Sequence, residues 1–178
     1  TTQVSESDEN NNSATKLIST TSTGTQTATY VVYTDDSPAP LSPTKVLPGQ
    51  GTQASFISRT TKTLIGNESP NTFNTLGWMT DGTNTTDGNN VEAGVDRVSP
   101  DGVDAPAVGV NRVFNFSYNP QTDSPLTAGY QNGEVTDMFY WTNVYHDALY
   151  LLGFTEAAGN FQHDNFGRGG VGNDRIRA

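Results

Sequence analysis

The feature that most limits the fold of this chain is a series of short β-prone runs, interrupted once by a long helical pattern. Strands are indicated at 29–33, 54–58, 60–65 and 113–118, and in the last of these two Phe residues alternate onto one face. Pro, Gly, Asn and Asp separate the runs and favour turns. One amphipathic helix is predicted near 134–152, from apolar residues at i, i+3, i+4 and i+7. This pattern predicts an α+β fold that is rich in short strands.

The predicted helix carries signals at both ends. Asp137 is predicted to fall in the first turn, where a carboxylate interacts favourably with the helix dipole. Gly153 can adopt the left-handed conformation that often ends a helix. The aromatic side chains of the helix are expected to pack in the core: Phe139, Tyr140, Trp141, Tyr145 and Tyr150.

Composition excludes several functional classes. The 178 residues include 19 acidic and 9 basic side chains, and the resulting negative field repels nucleic acids and anionic membrane surfaces. No run of about 18 apolar residues occurs, so no membrane span is predicted. The absence of Cys excludes disulfides, thiolate zinc sites and a Cys nucleophile. It also favours a larger parent protein or a bacterial source over a small secreted eukaryotic domain.

The chain divides into two parts by composition. Residues 1–28 are polar and low in complexity, which indicates a tail, a linker or a propeptide remnant. Residues 29–178 have the length of one domain or one lobe. The start has no signal peptide and the end falls in an apparent strand, so we expect a processed or excerpted segment.

The two histidines do not form a recognisable metal motif. A zinc pair on a helix needs His at i and i+4, but four residues after His146 the chain has Tyr150. We therefore expect His146 to be a packed or capping residue and His163 to lie on the surface. No GxSxG motif presents a serine nucleophile.

Two other motifs have structural explanations. Asp96, Asp101 and Asp104 lie beside Gly and Pro, so turn formation is expected, although their carboxylates could ligate Ca²⁺. Calcium binding is possible but no EF-hand spacing supports it. The Gly-rich run at 167–174 lacks the Lys-Ser/Thr of a phosphate loop, so no nucleotide site is expected.

Four Asn-x-Ser/Thr sequons begin at Asn11, Asn67, Asn84 and Asn115. Each is a potential glycosylation site if the chain is exported by a eukaryote. Chance sequons are also expected in a chain so rich in Asn and Thr.

Two stretches lie close together near the end of the chain, DMFYWTNVYHDALYLLGFTEAAGNFQ at 137–162 and NFGRGGVGND at 165–174. They resemble the fungalysin family of zinc metallopeptidases. Upstream, Gly77-Trp78, DGNNVEA and Phe114-Asn115-Phe116 follow in the family's order. The resemblance covers 29–178 and is most specific over 137–174, whereas the first 28 residues match nothing.

The resemblance implies a secreted endopeptidase with a thermolysin-like catalytic domain that hydrolyses peptide bonds in proteins. In this family two His of an HExxH helix and a later Glu hold the zinc, and the motif's Glu is the general base. None of these residues occurs in this chain, so no catalytic, cofactor-binding or metal-ligating residue is assigned. The chain is expected to be the N-terminal, β-rich lobe, truncated before the zinc-binding helix and inactive alone. The implied partners are the C-terminal zinc-bearing lobe, a possible propeptide of the zymogen and protein or peptide substrates.

Two alternatives remain at this point. The chain could be a non-catalytic extracellular adhesion or glycan-binding β domain, which predicts a self-contained core. It could also be an inhibitory fragment that binds a zinc-bearing partner. The lobe hypothesis differs from the first because it predicts a large exposed apolar surface.

Overall fold

A computed structural model describes residues 23–34, 59–119 and 122–178. Within these ranges the chain forms, in order, β1 (Ala28–Val32), β2 (Thr60–Leu64), β3 (Val91–Glu92), β4 (Gly94–Val95), β5 (Ala105–Pro106), β6 (Val113–Phe114), α1 (Ala128–Leu151), a 3₁₀ turn (Glu156–Ala158) and β7 (Ile176–Arg177). One long helix with several small strands confirms the α+β prediction. The strand predicted at 54–58 lies outside the described residues. Among the helices described here, none has the length and apolar character needed to cross a membrane.

The main sheet has three strands in the order β2-β1-β6. Strand β1 pairs antiparallel with β2 and parallel with β6. Its residues alternate between buried and half-buried positions, so one face of β1 packs towards α1. Two smaller sheets join β3 to β7 in parallel and β4 to β5 in antiparallel orientation.

The core is centred on the ring of Tyr30 in β1. This ring lies 5.4 Å from Phe114, 6.0 Å from Trp78 and 6.0 Å from Phe139, measured between ring centroids. Each of these side chains is at most 4% exposed. Aromatic pairs at such separations contribute roughly 0.5–1.5 kcal/mol beyond their buried area. The cluster therefore joins β1, β6, α1 and the loop before β3 into one core.

Helix α1 begins at Ala128, six residues before its predicted start. Thr127 caps it, with a hydroxyl that accepts from the N–H of Tyr130. The prediction that Asp137 lies in the first turn is wrong, because the described first turn holds no acidic residue. The early start was hidden by glycines, which are poor helix formers. One of them, Gly133, is needed because the ring of Tyr118 lies 2.1 Å from the position of an added Cβ.

The C-terminal end of α1 lies where the sequence predicts it. Leu152 caps the helix, and Gly153 follows with a φ of 103°. This left-handed conformation is the one predicted for the residue that ends the helix.

The buried side of α1 is mixed in character, and a second set of apolar residues faces outward. On the buried side Val135, Phe139 and Tyr140 join the core, and the polar residues there are Thr136, Asn143, His146 and Asp147. Phe139 and Tyr140 are in the core as predicted, but Tyr145 is 66% exposed. We call the exposed set the apolar stripe; it consists of Met138, Tyr145, Leu149 and Leu152. Their spacing of seven, four and three residues places them along one side of the helix.

A buried arginine ties the first described residues to the rest of the lobe. Arg112 is only 8% exposed and has a φ of 62°. Its guanidinium donates four hydrogen bonds of 2.9–3.0 Å to backbone carbonyls of Gln26, Thr27, Thr80 and Thr83. A charged side chain is tolerated inside a protein when its donors are satisfied in this way.

The carboxylate of Asp81 holds the same segment from its other side. It accepts from the N–H groups of Thr25 and Gln26 at 2.9 and 3.0 Å. Residues 23–27, which the sequence assigned to the tail, are therefore bonded to the body of the lobe.

Replacing Arg112 with alanine is expected to lower the free energy of unfolding by about 2–4 kcal/mol, because four carbonyls lose a charged donor. Urea unfolding followed by tryptophan fluorescence measures the change. The control is Arg97→Ala. The side chain of Arg97 is exposed, so its removal should change the free energy of unfolding by no more than about 0.5 kcal/mol. Equal losses in the two variants would contradict the structural role assigned to Arg112.

Candidate functional site

A polar, buried cluster of described residues lies beside the C-terminal half of α1. His146 Nδ1 lies 3.0 Å from Asp147 Oδ1, and Asp147 Oδ2 accepts from the indole N–H of Trp78 at 2.7 Å. All three residues are at most 6% exposed. We call this set the Trp78–Asp147–His146 cluster. It fixes the side-chain position of His146 and attaches α1 to the loop before β3.

The chemistry of this cluster is limited by its surroundings. A carboxylate only accepts hydrogen bonds, so Nδ1 of His146 is the donor in its contact with Asp147. Nε2 is buried and has no hydrogen-bond partner in the described residues. Asp147 already accepts from two donors. The cluster is thus an interior hydrogen-bond network in which Nε2 of His146 has no partner among the described residues.

The second histidine lies in a different environment. The side chain of His163 is exposed, as predicted, and its backbone N–H donates to the carbonyl of Asn89 at 2.8 Å. Within the described ranges no group of three or more His, Asp or Glu side chains could hold a metal ion. These residues therefore do not fit the zinc ion that the family resemblance implies.

Two buried amides extend the network along α1. Asn90 Nδ2 donates to Asn143 Oδ1 at 3.1 Å, and Asn143 Nδ2 donates to the carbonyl of Phe139 at 2.9 Å. The carbonyl of Asn90 accepts from the N–H of Ile176 in β7. Both amide side chains are fully buried. The motif that contains Asn90 therefore positions the helix against the β3–β7 sheet.

The Gly-rich run forms a clamp across the end of α1. Arg168 lies 3.0 Å from Glu156, and Glu156 also accepts from the hydroxyl of Tyr150 at 2.7 Å. The same nitrogen of Arg168, Nη1, also donates to the carbonyl of Phe73 at 2.7 Å. Gly170 must be glycine, because its φ is 68° and an added Cβ would lie 2.0 Å from the carbonyl oxygen of Glu156. These contacts give the run a packing role.

The aspartates near 96–104 have local roles in the described structure. Asp104 accepts from the N–H groups of Arg97 and Val98, both at 2.7 Å, which is the turn-forming role predicted from sequence. Asp96 and Asp101 line an open cavity of about 270 Å³ beside Arg177. They do not join a metal-ligating group among the described residues.

A half-buried carboxyl in the middle of α1 was not identified from sequence. Asp137 accepts from the N–H of Tyr33 at 2.8 Å and from the hydroxyl of Tyr118 at 2.9 Å. Burial raises the pKa of Asp137 to about 6, against the lowering effect of these two hydrogen bonds. The only sequence signal for this residue is an acidic side chain inside a run of apolar ones, and that signal also fits an exposed position.

Comparison with known proteins supports the resemblance seen in the sequence. The profile of the fungalysin metallopeptidase (M36) family matches residues 45–178. This chain belongs to the fungalysin family. The Trp78–Asp147–His146 cluster, the Asn90 motif and the Arg168 clamp all lie within the matched residues.

Several relatives of this fungalysin segment are named extracellular metalloproteinases. The one from Pyricularia oryzae is 42% identical over 109 residues, which are 57% of this chain and 16% of the relative. Extracellular metalloproteinase 10 of Coccidioides posadasii is 42% identical over 107 residues, or 56% and 16%. The Aspergillus flavus protein is 36% identical over 127 residues, or 65% and 19%. The chain thus spans less than a fifth of each of these relatives.

Trp78→Phe is expected to lower the free energy of unfolding by about 1.5–3 kcal/mol, because Asp147 loses a donor to a charged group. Trp141→Phe is the matched control, since its indole donates to the neutral carbonyl of Tyr33 at 2.8 Å. The control should lose only about 0.5–1.5 kcal/mol. Chemical unfolding of both fungalysin variants measures the difference, and a larger loss at Trp141 would contradict this account.

Asp137 is expected to make the stability of the lobe depend on pH. Its folded pKa of about 6 exceeds the ordinary value of 3.8, so the folded state holds the proton more tightly than the unfolded chain. The contribution of the protonated Asp137 carboxyl to the free energy of unfolding is complete below the ordinary pKa. It is lost as pH rises through the folded pKa of about 6. Its size is on the order of 2–3 kcal/mol.

The measurement compares unfolding of the wild type and Asp137→Asn across this pH range. The groups that face Asp137 are Glu134, Tyr33, Tyr118 and Arg59, and all remain in the variant. The wild type should lose stability relative to the variant as pH rises. Parallel curves for the two proteins would refute the role of Asp137.

Proposed function

We propose that this chain is the N-terminal lobe of the catalytic domain of a secreted, zinc-dependent endopeptidase that hydrolyses peptide bonds in proteins. Membership of a metallopeptidase family supports the reaction class. Relatives named extracellular metalloproteinases support the extracellular location. The zinc ligands and the catalytic base are assigned to the C-terminal lobe.

The observation that carries this proposal is the apolar stripe on α1. Tyr145 and Leu152 are 66% and 84% exposed, and Met138 and Leu149 are more than 40% exposed. A contiguous apolar row on a helix is the usual signature of a surface that another element covers. We assign the C-terminal lobe of the same enzyme as that element.

The same stripe disfavours a self-contained adhesion or glycan-binding domain. Such a domain would cover the apolar residues of its longest helix, whereas Tyr145 and Leu152 on α1 are 66% and 84% exposed. No contact in the described ranges favours this alternative or the inhibitory-fragment hypothesis.

The proposed boundaries follow the contacts of the first described strand. We propose 29–178 as the lobe, with 23–27 bound to it through Arg112 and Asp81. Earlier residues are proposed to be a linker or the end of a propeptide.

The test of function uses the full-length gene product recovered from the culture medium. Casein hydrolysis should be abolished by a zinc chelator and restored by added Zn²⁺. The 178-residue chain, expressed alone, should show no hydrolysis and no stoichiometric zinc by metal analysis. Zinc-supported proteolysis by this chain alone would overturn the assignment of the ligands to another lobe.

Leu149→Asp in the full-length protein is expected to lower the midpoint of thermal unfolding by several degrees, because a charge would be buried under the other lobe. Val98→Asp is the control, since Val98 is 64% exposed and lies outside the stripe. Differential scanning calorimetry measures both variants. If Leu149→Asp behaves like the control, the stripe is not a covered surface.

A further inference from the structure

The sequons differ in the solvent exposure of their asparagines. Asn67 is half-buried, and its Nδ2 donates to the carbonyl of Gly24 at 2.9 Å. Asn84 and Asn115 are exposed. Asn11 lies outside the described residues. Since a glycan is attached at Nδ2, these environments differ in how well the folded lobe accommodates it.

Asn115 lies on the solvent side of an edge of the main sheet. It follows β6, the last strand in the order β2-β1-β6. Along this segment Val113, Asn115 and Ser117 are exposed, while Phe114 and Tyr118 are buried. Both ends of the sequon, Asn115 and Ser117, therefore face away from the core.

Asn84 lies next to the same edge and is also exposed. Its Oδ1 accepts from the backbone N–H of Arg112 at 3.1 Å, and its carbonyl accepts from Gly109. Glycosylation replaces one hydrogen on Nδ2 and leaves Oδ1 unchanged. The contact to Arg112 is therefore compatible with a glycan at Asn84.

Exposed valines lie between the two sequons. We call Val108, Val110 and Val113 the valine rim; they are 60%, 77% and 42% exposed. Val110 is bridged to Val113, and Val108 is bridged to Thr85, the residue after Asn84. An apolar rim at a sheet edge favours association between chains unless something covers it. Hydrated sugars attached on both sides of the rim would oppose that association.

We propose that this lobe is N-glycosylated at Asn84 and Asn115 and not at Asn67, so that two glycans flank the valine rim. The proposal rests on the proposed export of the protein. The sugar donor is a lipid-linked oligosaccharide diphosphate. A bond forms between Asn Nδ2 and the sugar C1 as the C1–O bond to phosphate breaks, the amide gives up one proton, and the lipid diphosphate leaves.

The experiment uses the full-length protein secreted by a eukaryotic host. Treatment with an N-glycosidase in heavy-oxygen water converts each occupied Asn to labelled Asp, and peptide mass spectrometry reads the three sequons together. Most molecules should carry label at Asn84 and Asn115, and few at Asn67. A labelled Asn67, or an unlabelled Asn84 or Asn115, overturns the proposal.

Variants provide an independent readout on denaturing gels. Asn115→Gln and Ser117→Ala should each lower the apparent mass by that of one glycan. The second variant does so without changing the asparagine. Asn67→Gln should leave the mobility unchanged. Secreted but unmodified protein refutes the glycans while export holds, whereas protein retained in the cytosol refutes both export and glycosylation.

Discussion

The structure depends on hydrogen bonds between loop residues and polar residues on the buried side of α1. Leaving a buried donor or acceptor without a partner costs about 1–3 kcal/mol, so the partners that the loops supply to Asp147 and Asn143 stabilise the fold. Trp78 donates a hydrogen bond to Asp147, and Asn90 donates one to Asn143. Loops with little regular structure are thereby held in one arrangement against a single helix.

This use of the polar side has a consequence for the outer surface. Because Asn143, His146 and Asp147 face the loops, Tyr145 and Leu149 face outward on the opposite side. Few structures can cover such a row, and in a fungalysin segment the proposed cover is the zinc-bearing lobe. The same helix thus supports the fold through its polar side and the proposed assembly of the enzyme through its apolar side.

Arg112 illustrates how one residue links distant parts of the chain. Its backbone bonds to Asn84 on the edge that we propose is glycosylated, while its guanidinium holds the carbonyls of Gln26 and Thr27 beside β1. The valine rim and the first strand therefore share one anchor. The backbone of Arg112 carries out this role in the left-handed region, with a φ of 62°.

Sequence alone determined the α+β class, the existence of the long helix, its end at Gly153 and the family, because these depend on local periodicity and on a contiguous motif. It did not determine which side of α1 is buried, the early helix start at Ala128, or the roles of Arg112 and Asp137. The roles of Asp137 and Arg112 depend on partners 19–104 residues away in the chain, such as Tyr118 and Tyr33 for Asp137. Only the tertiary structure brings these groups together, since a buried polar residue and an exposed one look the same in sequence until their partners are known.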